Sequence, residues 1–409
     1  RVYSQAQECF WCCVGSGIEN HGRHGAFAYT RGRDGLAVNL YMASRLHWRE
    51  RGLQLEQATG FPEQPHSVLR LRLDESQAFA LDLRHPHWLD GPMRVKVNGT
   101  PWPLSSTPAS WARIERRWRD GDTVEVELPM RTRIENLPDG SDWVAVMHGP
   151  LMLAARTGTE DLDGLVADSG RGSHIAPGPY QPLDRAPMLV GERDALAAGI
   201  VPVAGEPLVF SADALVRPAG SGTLRLEPLH RVHDARYMAY WRTTTAAGYP
   251  AVVAAIEAAE RERQALDART LDRVQPGEQQ PEVEHGYRGR DSATGMHLGR
   301  HWRDAGDAFA YRLSVPPGRG GDTPLALQLT LFGGEWQAAM DVQVDGATLA
   351  TVLLDGSGVD DFIERQVALP PALAEAARED GIEVRFAARD GRRTPRLFDL
   401  RLLNADAAP

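Results

Sequence analysis

The sequence predicts a mainly β protein in which two antiparallel β-sandwich domains, the second of jelly-roll kind, are joined by a linker with one helix. Three observations support this fold class. Many short segments alternate apolar and polar residues, as strands with one buried face do. Asn98-Gly99 and Asp345-Gly346 are typical of tight hairpin turns. A single long segment, residues 250–271, has the apolar spacing of a helix.

The first sandwich is predicted to occupy residues 35–156. Turn-rich pieces such as Gly60-Phe61-Pro62 separate its strands, and two apolar strands broken at Gly149-Pro150 close it. Short strands at this regular spacing are typical of an antiparallel sandwich. The predicted strand regions are residues 36–42, 53–57, 68–73, 79–83, 93–99, 123–128 and 143–154.

The linker is predicted to span residues 157–281. Its first part, residues 157–222, is rich in Gly, Pro, Ala and Asp, which predicts few regular elements. Residues 225–245 again have the alternating pattern of strands, and the helix predicted at residues 250–271 follows as a connector. Its apolar face would hold Val252, Ile256, Ala259 and Leu266, and its solvated face Glu257, Glu260 and Arg261.

A group of polar and aromatic residues lies in the strand-like part of this linker: His230, His233, Asp234, Tyr237 and Trp241. These residue types are compatible with a metal or sugar site. Side chains alternate between the two faces of a strand, so His233 and Asp234 would point in opposite directions. We therefore favour a packing or interface role over a compact ligand set.

The second sandwich is predicted at residues 282–409, after the polar stretch of residues 275–281. Its alternating segments again end in turn signals, and its layout resembles the C-terminal sandwich of many exported polysaccharide-degrading enzymes. The predicted strands are residues 308–313, 325–331, 340–346, 364–369, 382–386 and 397–403.

Composition excludes two classes of protein. The net charge of −10 argues against a nucleic-acid partner, because phosphate binding depends on a basic surface. No run of 18 apolar residues is present, so the sequence predicts no transmembrane helix. A hydrophobic content of 42% is ordinary for a globular protein, and 409 residues suffice for two or three domains.

All three cysteines of the chain, Cys9, Cys12 and Cys13, fall within five positions. Three interpretations are open: neighbouring apolar core residues, a redox Cys-x-x-Cys pair, or a metal-thiolate site. No thioredoxin-like βαβ pattern surrounds Cys9 and Cys12, which disfavours the redox pair. Gly15 and Gly17 follow closely and permit the sharp turn that two adjacent thiolates on one ion require.

A family resemblance is carried by the run from Cys12-Cys13 through Glu19-Asn20-His21-Gly22 to Leu36-Ala37-Val38-Asn39-Leu40-Tyr41. This run resembles the segment that closes the catalytic α/α barrel of glycoside hydrolase family 127, the β-L-arabinofuranosidase type. The resemblance implies that Cys12 is the nucleophile of a retaining mechanism and a zinc ligand, and that Cys13 is a second zinc ligand. It also implies a substrate among the β-L-arabinofuranosides of plant cell-wall glycans or glycoproteins.

The resemblance further implies a Glu-x-Cys zinc-ligand pair and an acid/base glutamate upstream of the cysteines. Only eleven residues precede Cys12, and Glu8-Cys9 lies too close to the turn to replace that pair. We therefore expect the chain to be the C-terminal part of a longer protein, with the missing zinc ligands upstream of Arg1. The isolated chain is expected to be inactive.

Residues 1–34 are accordingly predicted to be the end of the catalytic barrel. A helix is expected from Val14 to Tyr29, with Ile18, His21 and Phe27 facing inward. His21 and His24 are possible metal ligands, although histidines on a helix surface are more often structural or solvated.

Two functions from different classes remain open at this point. The first is a zinc-dependent glycoside hydrolase, exported to the periplasm or the cell surface by resemblance to the family. The second is a non-catalytic carbohydrate-binding or scaffolding protein, since ten tryptophans could supply sugar-stacking platforms.

Overall fold

The computed structural model describes residues 3–5, 7–9, 11–160, 162, 165–167, 186–218 and 224–405, except for the side chain of Cys12. The fold is mainly β, as predicted. The chain forms two compact units, Arg1–Glu257 and Ala258–Pro409. In the described residues no helix is both long and apolar enough to cross a membrane.

Helix α1 covers Cys12–Phe27, two residues earlier than predicted at each end. Ile18, His21 and Phe27 are expected to face into the barrel; among the described residues Ile18 is 70% exposed, Phe27 is 51% exposed, and His21 is also exposed, so that expectation stays a prediction. The C-terminal end of the helix is tied down, where the buried Ala28 leads directly into the first strand. Without a covering layer among the described residues, an apolar position on the helix stays in solvent.

The first sandwich has two sheets that share one hydrophobic core. The four-stranded sheet has the order β1-β2-β6-β9 and the six-stranded sheet the order β3-β4-β5-β10-β7-β8. Pairing is antiparallel except between β2 and β6. The strands are β1 Tyr29–Arg31, β2 Gly35–Val38, β3 Ser44–Trp48, β4 Leu53–Thr59, β5 His66–Leu73, β6 Gln77–His85, β7 Arg94–Val97, β8 Thr100–Pro101, β9 Ser110–Trp118 and β10 Thr123–Glu127.

The core of this sandwich follows from the alternation along its strands. In β5, Leu69 and Leu71 are fully buried between exposed or half-buried neighbours, and Ile114 and Trp118 do the same in β9. The Trp118 indole nitrogen donates to the carbonyl of Phe79 at 3.0 Å, so the large ring is buried without an unpaired donor.

A ten-stranded sheet follows within the same unit. Its path is β15-β16-β18-β13-β12-β20-β14-β17, while β11 pairs with β12 and β19 pairs with β13. The strands are β11 Thr132–Asn136, β12 Trp143–His148, β13 Leu151–Gly158, β14 Met188–Val190, β15 Val201–Pro202, β16 Phe210–Ser211, β17 Val216–Arg217, β18 Arg225–Pro228, β19 Arg236–Met238 and β20 Tyr240–Thr244.

Strand pairing therefore joins residues 132–158 to residues 188–244. The domain division predicted at 156 and 157 remains a prediction, and β13 runs across that position. The described residues between 157 and 222 form only short elements, the longest being a 3₁₀ helix at Arg193–Gly199. The rest of the segment predicted to have few regular elements, including residues 168–185, lies outside the described residues.

Helix α2, Tyr249–Arg269, occupies the predicted position and crosses from the first unit into the second. Its predicted faces need correction. Glu260, expected on the solvated face, is the buried residue, and Ala259, expected on the apolar face, is exposed. Glu260 is tolerated there because Arg263 donates to its carboxylate at 2.5 Å and Gln264 at 2.8 Å.

The second unit is a β-sandwich of two antiparallel sheets, ordered β21-β29-β24-β27 and β22-β23-β28-β25-β26. Both sheets contribute to one core, and all eight residues of β24 are buried. Its elements are β21 Thr270–Val274, α3 Gln279–Glu284, β22 Arg288–His297, β23 Arg300–Leu313, β24 Leu325–Phe332, β25 Ala338–Val344, β26 Ala347–Leu354, β27 Phe362–Ala368, α4 Pro371–Glu379, β28 Ile382–Ala388 and β29 Asp399–Asn404.

Candidate functional site

Cys9 has a structural environment. It is 4% exposed, its sulfur accepts a hydrogen bond from the Gln5 amide at 3.3 Å, and it donates to the Ala167 carbonyl at 3.6 Å. The segment that carries it is pinned by two backbone hydrogen bonds, from Tyr3 to the Leu165 carbonyl at 2.6 Å and from Ala167 to the Tyr3 carbonyl at 2.8 Å. Cys9 is thus a buried small side chain, as cysteines in protein cores often are.

Cys12 and Cys13 occupy the first turn of α1. Trp11 is the N-cap in extended conformation, without a side-chain cap, and the first turn holds no acidic residue. The first backbone amides of a helix have no intrahelical acceptor, so this position favours an anionic group such as a thiolate. Cys13 is a free and exposed thiol. The predicted nucleophile and zinc ligand Cys12 cannot be placed further, since its side chain lies outside the described part.

The two histidines of α1 are not brought to the cysteines. His21 and His24 contact each other edge-to-face, with ring centroids 5.7 Å apart, and the amide nitrogen of Asn20 lies 3.4 Å from His24 Nε2. His21 lies eight positions after Cys13, which is about 12 Å along the helix axis at 1.5 Å per residue. Both histidines are exposed, so the structure places them as surface residues.

The described residues do not complete a zinc site. Zinc in proteins takes four ligands, or three and an open position. Among the residues that the structure describes, no group of three or more His, Cys, Asp or Glu side chains is arranged to hold a metal ion. Cys13 offers one sulfur, and the adjacent Cys12 is the second that the sequence supplies. The residues present therefore do not by themselves fit the ion.

A cleft of about 570 Å³ lies just beyond the C-terminal end of α1, between β1 and β3. Its volume is in the range of small-molecule sites. The Tyr29 hydroxyl shares a hydrogen bond of 2.8 Å with Ser44, and burial raises the pKa of Tyr29 despite that bond. Arg31 and Glu50 pair at 3.2 Å across the rim. The lining residues are Tyr29, Thr30, Arg31, Leu36, Leu46, His47, Trp48 and Glu50.

None of the cleft's polar residues was singled out from the sequence. Arg31 and Glu50 are nineteen positions apart; Arg31 ends β1 of the four-stranded sheet, Glu50 follows β3 of the six-stranded sheet, and the two meet where these sheets pack together. The available signal was indirect: a tyrosine and an arginine alternate immediately after the helix that carries the cysteine pair.

The group around His233 packs against the N-terminal segment. The Tyr3 hydroxyl lies 3.3 Å from His233 Nδ1, the two rings stack at 6.3 Å, and the Asp234 amide donates to the same hydroxyl at 3.2 Å. Trp241 is fully buried in the core of the ten-stranded sheet. The residues of this group are therefore distributed between an interface and a core, and they do not converge on one site.

Arg156 fixes the backbone of that region. Its guanidinium donates to the Arg231 carbonyl at 2.8 Å, to the His233 carbonyl at 2.7 Å and to Glu227 at 2.6 Å. Arg231 in turn pairs with Glu63 of the first sandwich at 2.8 Å. The polar residues near His233 thus hold loops in place.

Comparison with known families divides the chain into three matches. Residues 35–130 match the family described as beta-L-arabinofuranosidase, GH127 middle domain. Residues 133–243 match a domain of unknown function and residues 265–403 a family of unknown function, DUF6805. The second match coincides with the strands of the ten-stranded sheet, from β11 to β20. No match is found among curated protein sequences.

Among solved structures, a GH127 β-L-arabinofuranosidase from Geobacillus stearothermophilus T6 is 20% identical over 57% of this chain, with a TM-score of 0.40. A family 35 carbohydrate-binding module from Clostridium thermocellum is 12% identical over 29% of this chain and 92% of its own, with a TM-score of 0.23. The chain spans 40%, 37% and 36% of the length of three glycoside hydrolase structures that it matches. The similarity to glycoside hydrolase family 127 therefore covers residues 35–130, which match the middle domain of that family.

Proposed function

We propose that this chain is part of a retaining glycoside hydrolase that acts on β-L-arabinofuranosides of plant cell-wall glycans or glycoproteins. The observation that carries the proposal is the order of elements: α1, with Cys12-Cys13 in its first turn, is followed after Ala28 by β1 and then, from residue 35, by the segment that matches the GH127 middle domain. The resemblance found in the cysteine segment and the family match thus fall on adjacent parts of one chain.

In the proposed reaction the Cys12 thiolate attacks the anomeric carbon. A carbon–sulfur bond forms, the bond to the leaving-group oxygen breaks, and that oxygen takes a proton from a general acid. Water then gives a proton to that same group, now a base, attacks the same carbon and releases the thiolate, so the anomeric configuration is retained. Thiolate rather than thiol is the attacking species, and the uncapped first turn of α1 supports its charge.

Zinc belongs to the same proposal. Cys12 and Cys13 would supply two sulfur ligands, and the remaining ligands, like the general acid, would come from residues outside the described set. Bound zinc keeps cysteine sulfur ionised at neutral pH. The proposal also includes export to the periplasm or cell surface, where polymeric glycans are accessible. It further includes an α/α barrel of the same protein, against which this chain docks.

The experiment uses the full-length gene product and 4-nitrophenyl β-L-arabinofuranoside. Cys12→Ala is expected to lower kcat by at least about 1,000-fold, because removing a nucleophile leaves only binding and electrostatic contributions. Cys9→Ala is the matched control: its sulfur is buried and bonded to Ala167, so kcat should stay within a factor of two to three of the wild type.

Product stereochemistry and metal content complete this test. Proton NMR of the first-formed sugar should show the β-anomer, and Cys13→Ala should lower the zinc content measured by mass spectrometry. Full activity of Cys12→Ala would refute the nucleophile assignment, and an inverted first product would refute the retaining mechanism. An unchanged zinc content in both the Cys12→Ala and the Cys13→Ala proteins would refute the assignment of these cysteines as zinc ligands.

A further inference from the structure

Trp336 is the most exposed tryptophan of the chain. Its side chain is 70% exposed, whereas the next most exposed, Trp111, reaches 43%. An exposed indole forgoes the stabilisation that burial gives, and its ring face is accessible to a ligand. The residue lies in loop 333–337, which joins β24 to β25 in the second unit.

The loop is held tightly by a second loop, residues 355–361, which joins β26 to β27. Contact between the two loops depends on glycines, because a Cβ at each would collide with the other loop. At Gly356 it would lie 2.5 Å from Cε3 of Trp336, at Gly358 it would lie 2.5 Å from the Gly333 carbonyl oxygen, and at Gly333 it would lie 2.6 Å from the Val359 carbonyl oxygen. The indole is therefore positioned before any ligand arrives.

A cluster of three aromatic rings lies next to these loops. The ring of Phe362 contacts Phe332 and Phe398 edge-to-face, at centroid distances of 5.8 and 4.9 Å. Arg396 lies over Phe332 and Phe398 and forms an ion pair with Glu335, the residue before Trp336. The loop that carries the indole is thus anchored at Gly333 and at Glu335.

The polar groups beside the indole are hydrogen-bond acceptors with negative charge. Asp355 and Ser357 flank Gly356, and the Ser357 hydroxyl donates to the Asp355 carboxylate at 2.6 Å, which lowers the pKa of Asp355. Asp360 is exposed, and its carboxylate has no hydrogen bond among the described residues. Glu335 is neutralised by Arg396. Loops 333–337 and 355–361 therefore offer carboxylate acceptors and contain no basic residue. The two basic residues next to them are engaged: Arg396 pairs with Glu335, and Arg300 lies over the ring of Phe362.

A neutral sugar chain matches this arrangement. The apolar face of a sugar ring stacks on an aromatic side chain, and ring hydroxyls donate to carboxylates at its edge. A uronic acid would bring its own carboxylate against Asp355 and Asp360, and like charges at short range repel. We propose that loops 333–337 and 355–361 form a binding site for a neutral glycan, with Trp336 as its stacking platform.

The proposal does not rest on the hydrolase chemistry, since none of its residues belongs to the cysteine segment. It is tested with the whole chain by affinity gel electrophoresis in gels that contain linear arabinan, arabinoxylan or polygalacturonic acid. The expected result is retardation by at least one of the two neutral polysaccharides and none by polygalacturonic acid. Trp336→Ala should raise the apparent Kd at least about tenfold, and Trp336→Phe should retain part of the binding.

Trp111→Ala is the matched control, because it removes a half-exposed indole from β9 and should leave mobility unchanged. Melting temperatures of all variants verify that each protein is folded. The proposal is overturned if both neutral polysaccharides leave the wild-type mobility unchanged. It is equally overturned if Trp336→Ala is retarded like the wild type, or if polygalacturonic acid retards the wild type more strongly than the neutral polysaccharides do.

Discussion

Replacing Glu282 by glutamine is expected to destabilise the second unit strongly. Glu282 is 5% exposed and Arg303 9%. The guanidinium donates from Nε to Oε1 at 2.5 Å and from Nη2 to Oε2 at 2.7 Å, while the Tyr311 hydroxyl and the Gly277 amide donate to Oε1 at 2.7 and 2.8 Å. Glutamine keeps the shape of the side chain but removes the charge that compensates a buried guanidinium.

The magnitude follows from that uncompensated charge. Removing one partner of a buried ion pair costs about 3–5 kcal/mol. A loss of 1 kcal/mol lowers the melting temperature by about 2–4 °C in a domain of this size, so Glu282→Gln should lower it by at least about 6 °C. Replacing both charges by apolar side chains, as in Glu282→Leu with Arg303→Met, should restore part of the loss, since no ion is then left buried alone.

Differential scanning calorimetry of the whole chain measures this effect. Asp307→Asn is the matched control, because the Asp307–Arg290 pair lies on the surface at 3.1 Å and exposed pairs contribute little. A melting temperature of Glu282→Gln within about 2 °C of the wild type would refute the reasoning. So would a double apolar variant that is less stable than the single one.

The pH dependence gives an independent check on Glu282. Burial acts to raise its pKa, but hydrogen bonds from Arg303, Gly277 and Tyr311 outweigh burial and lower it. A carboxylate whose pKa is lower in the folded state stabilises the fold above its unfolded value of about 4.3 and loses that contribution as the pH falls. The wild type should therefore lose stability on acidification more steeply than Glu282→Gln.

Two further predictions concern His285 and Trp118. A hydrogen bond with Asp272 raises the pKa of His285 against the effect of burial, so the contribution of protonated His285 to stability is complete below about pH 6.5 and is lost as the pH rises through the raised pKa. His285→Gln should therefore reduce the change of melting temperature between pH 6 and pH 8, and an unchanged pH dependence would contradict this. Trp118→Ala should lower the free energy of unfolding of the first unit by about 3–5 kcal/mol, because it empties a fully buried site and removes the indole that donates to the Phe79 carbonyl. Chemical denaturation measures this loss, and a loss below about 1 kcal/mol would argue against the assigned packing.

The sequence predicts a strand or a turn correctly where the local pattern of residues is sufficient to determine it. The hairpin at Asn98-Gly99 has the positive φ angles, 53° and 75°, that its turn signal requires. Strand β24 could be recognised because Leu325, Leu327, Leu329 and Leu331 alternate along it. By contrast, β9 was missed, because its core residues Ala112 and Ile114 are separated by charged side chains that dilute the apolar signal.

Long-range pairing is the part that local patterns do not contain. The pairing of β13 with β18 joins Ala155 to Leu226, across more than sixty residues of which many are Gly or Pro. Several alternating segments could pair with β13. The shared core around Trp241 decides which one does, and neither segment contains that information alone. The burial of Glu260 has the same origin, since the arginine and glutamine that solvate it become partners only in the formed helix.

The candidate site shows the same limit more sharply. Cys9 and Cys13 are four positions apart, yet one sulfur is sealed against the Ala167 carbonyl and the other is exposed. The difference arises at Trp11, where the chain changes from extended backbone to helix and the direction of each following side chain is reset. Closeness in sequence therefore does not make a ligand set. The cysteines that remain candidates for chemistry are the two that follow this change, because only they share the exposed end of a helix whose first amides favour negative charge.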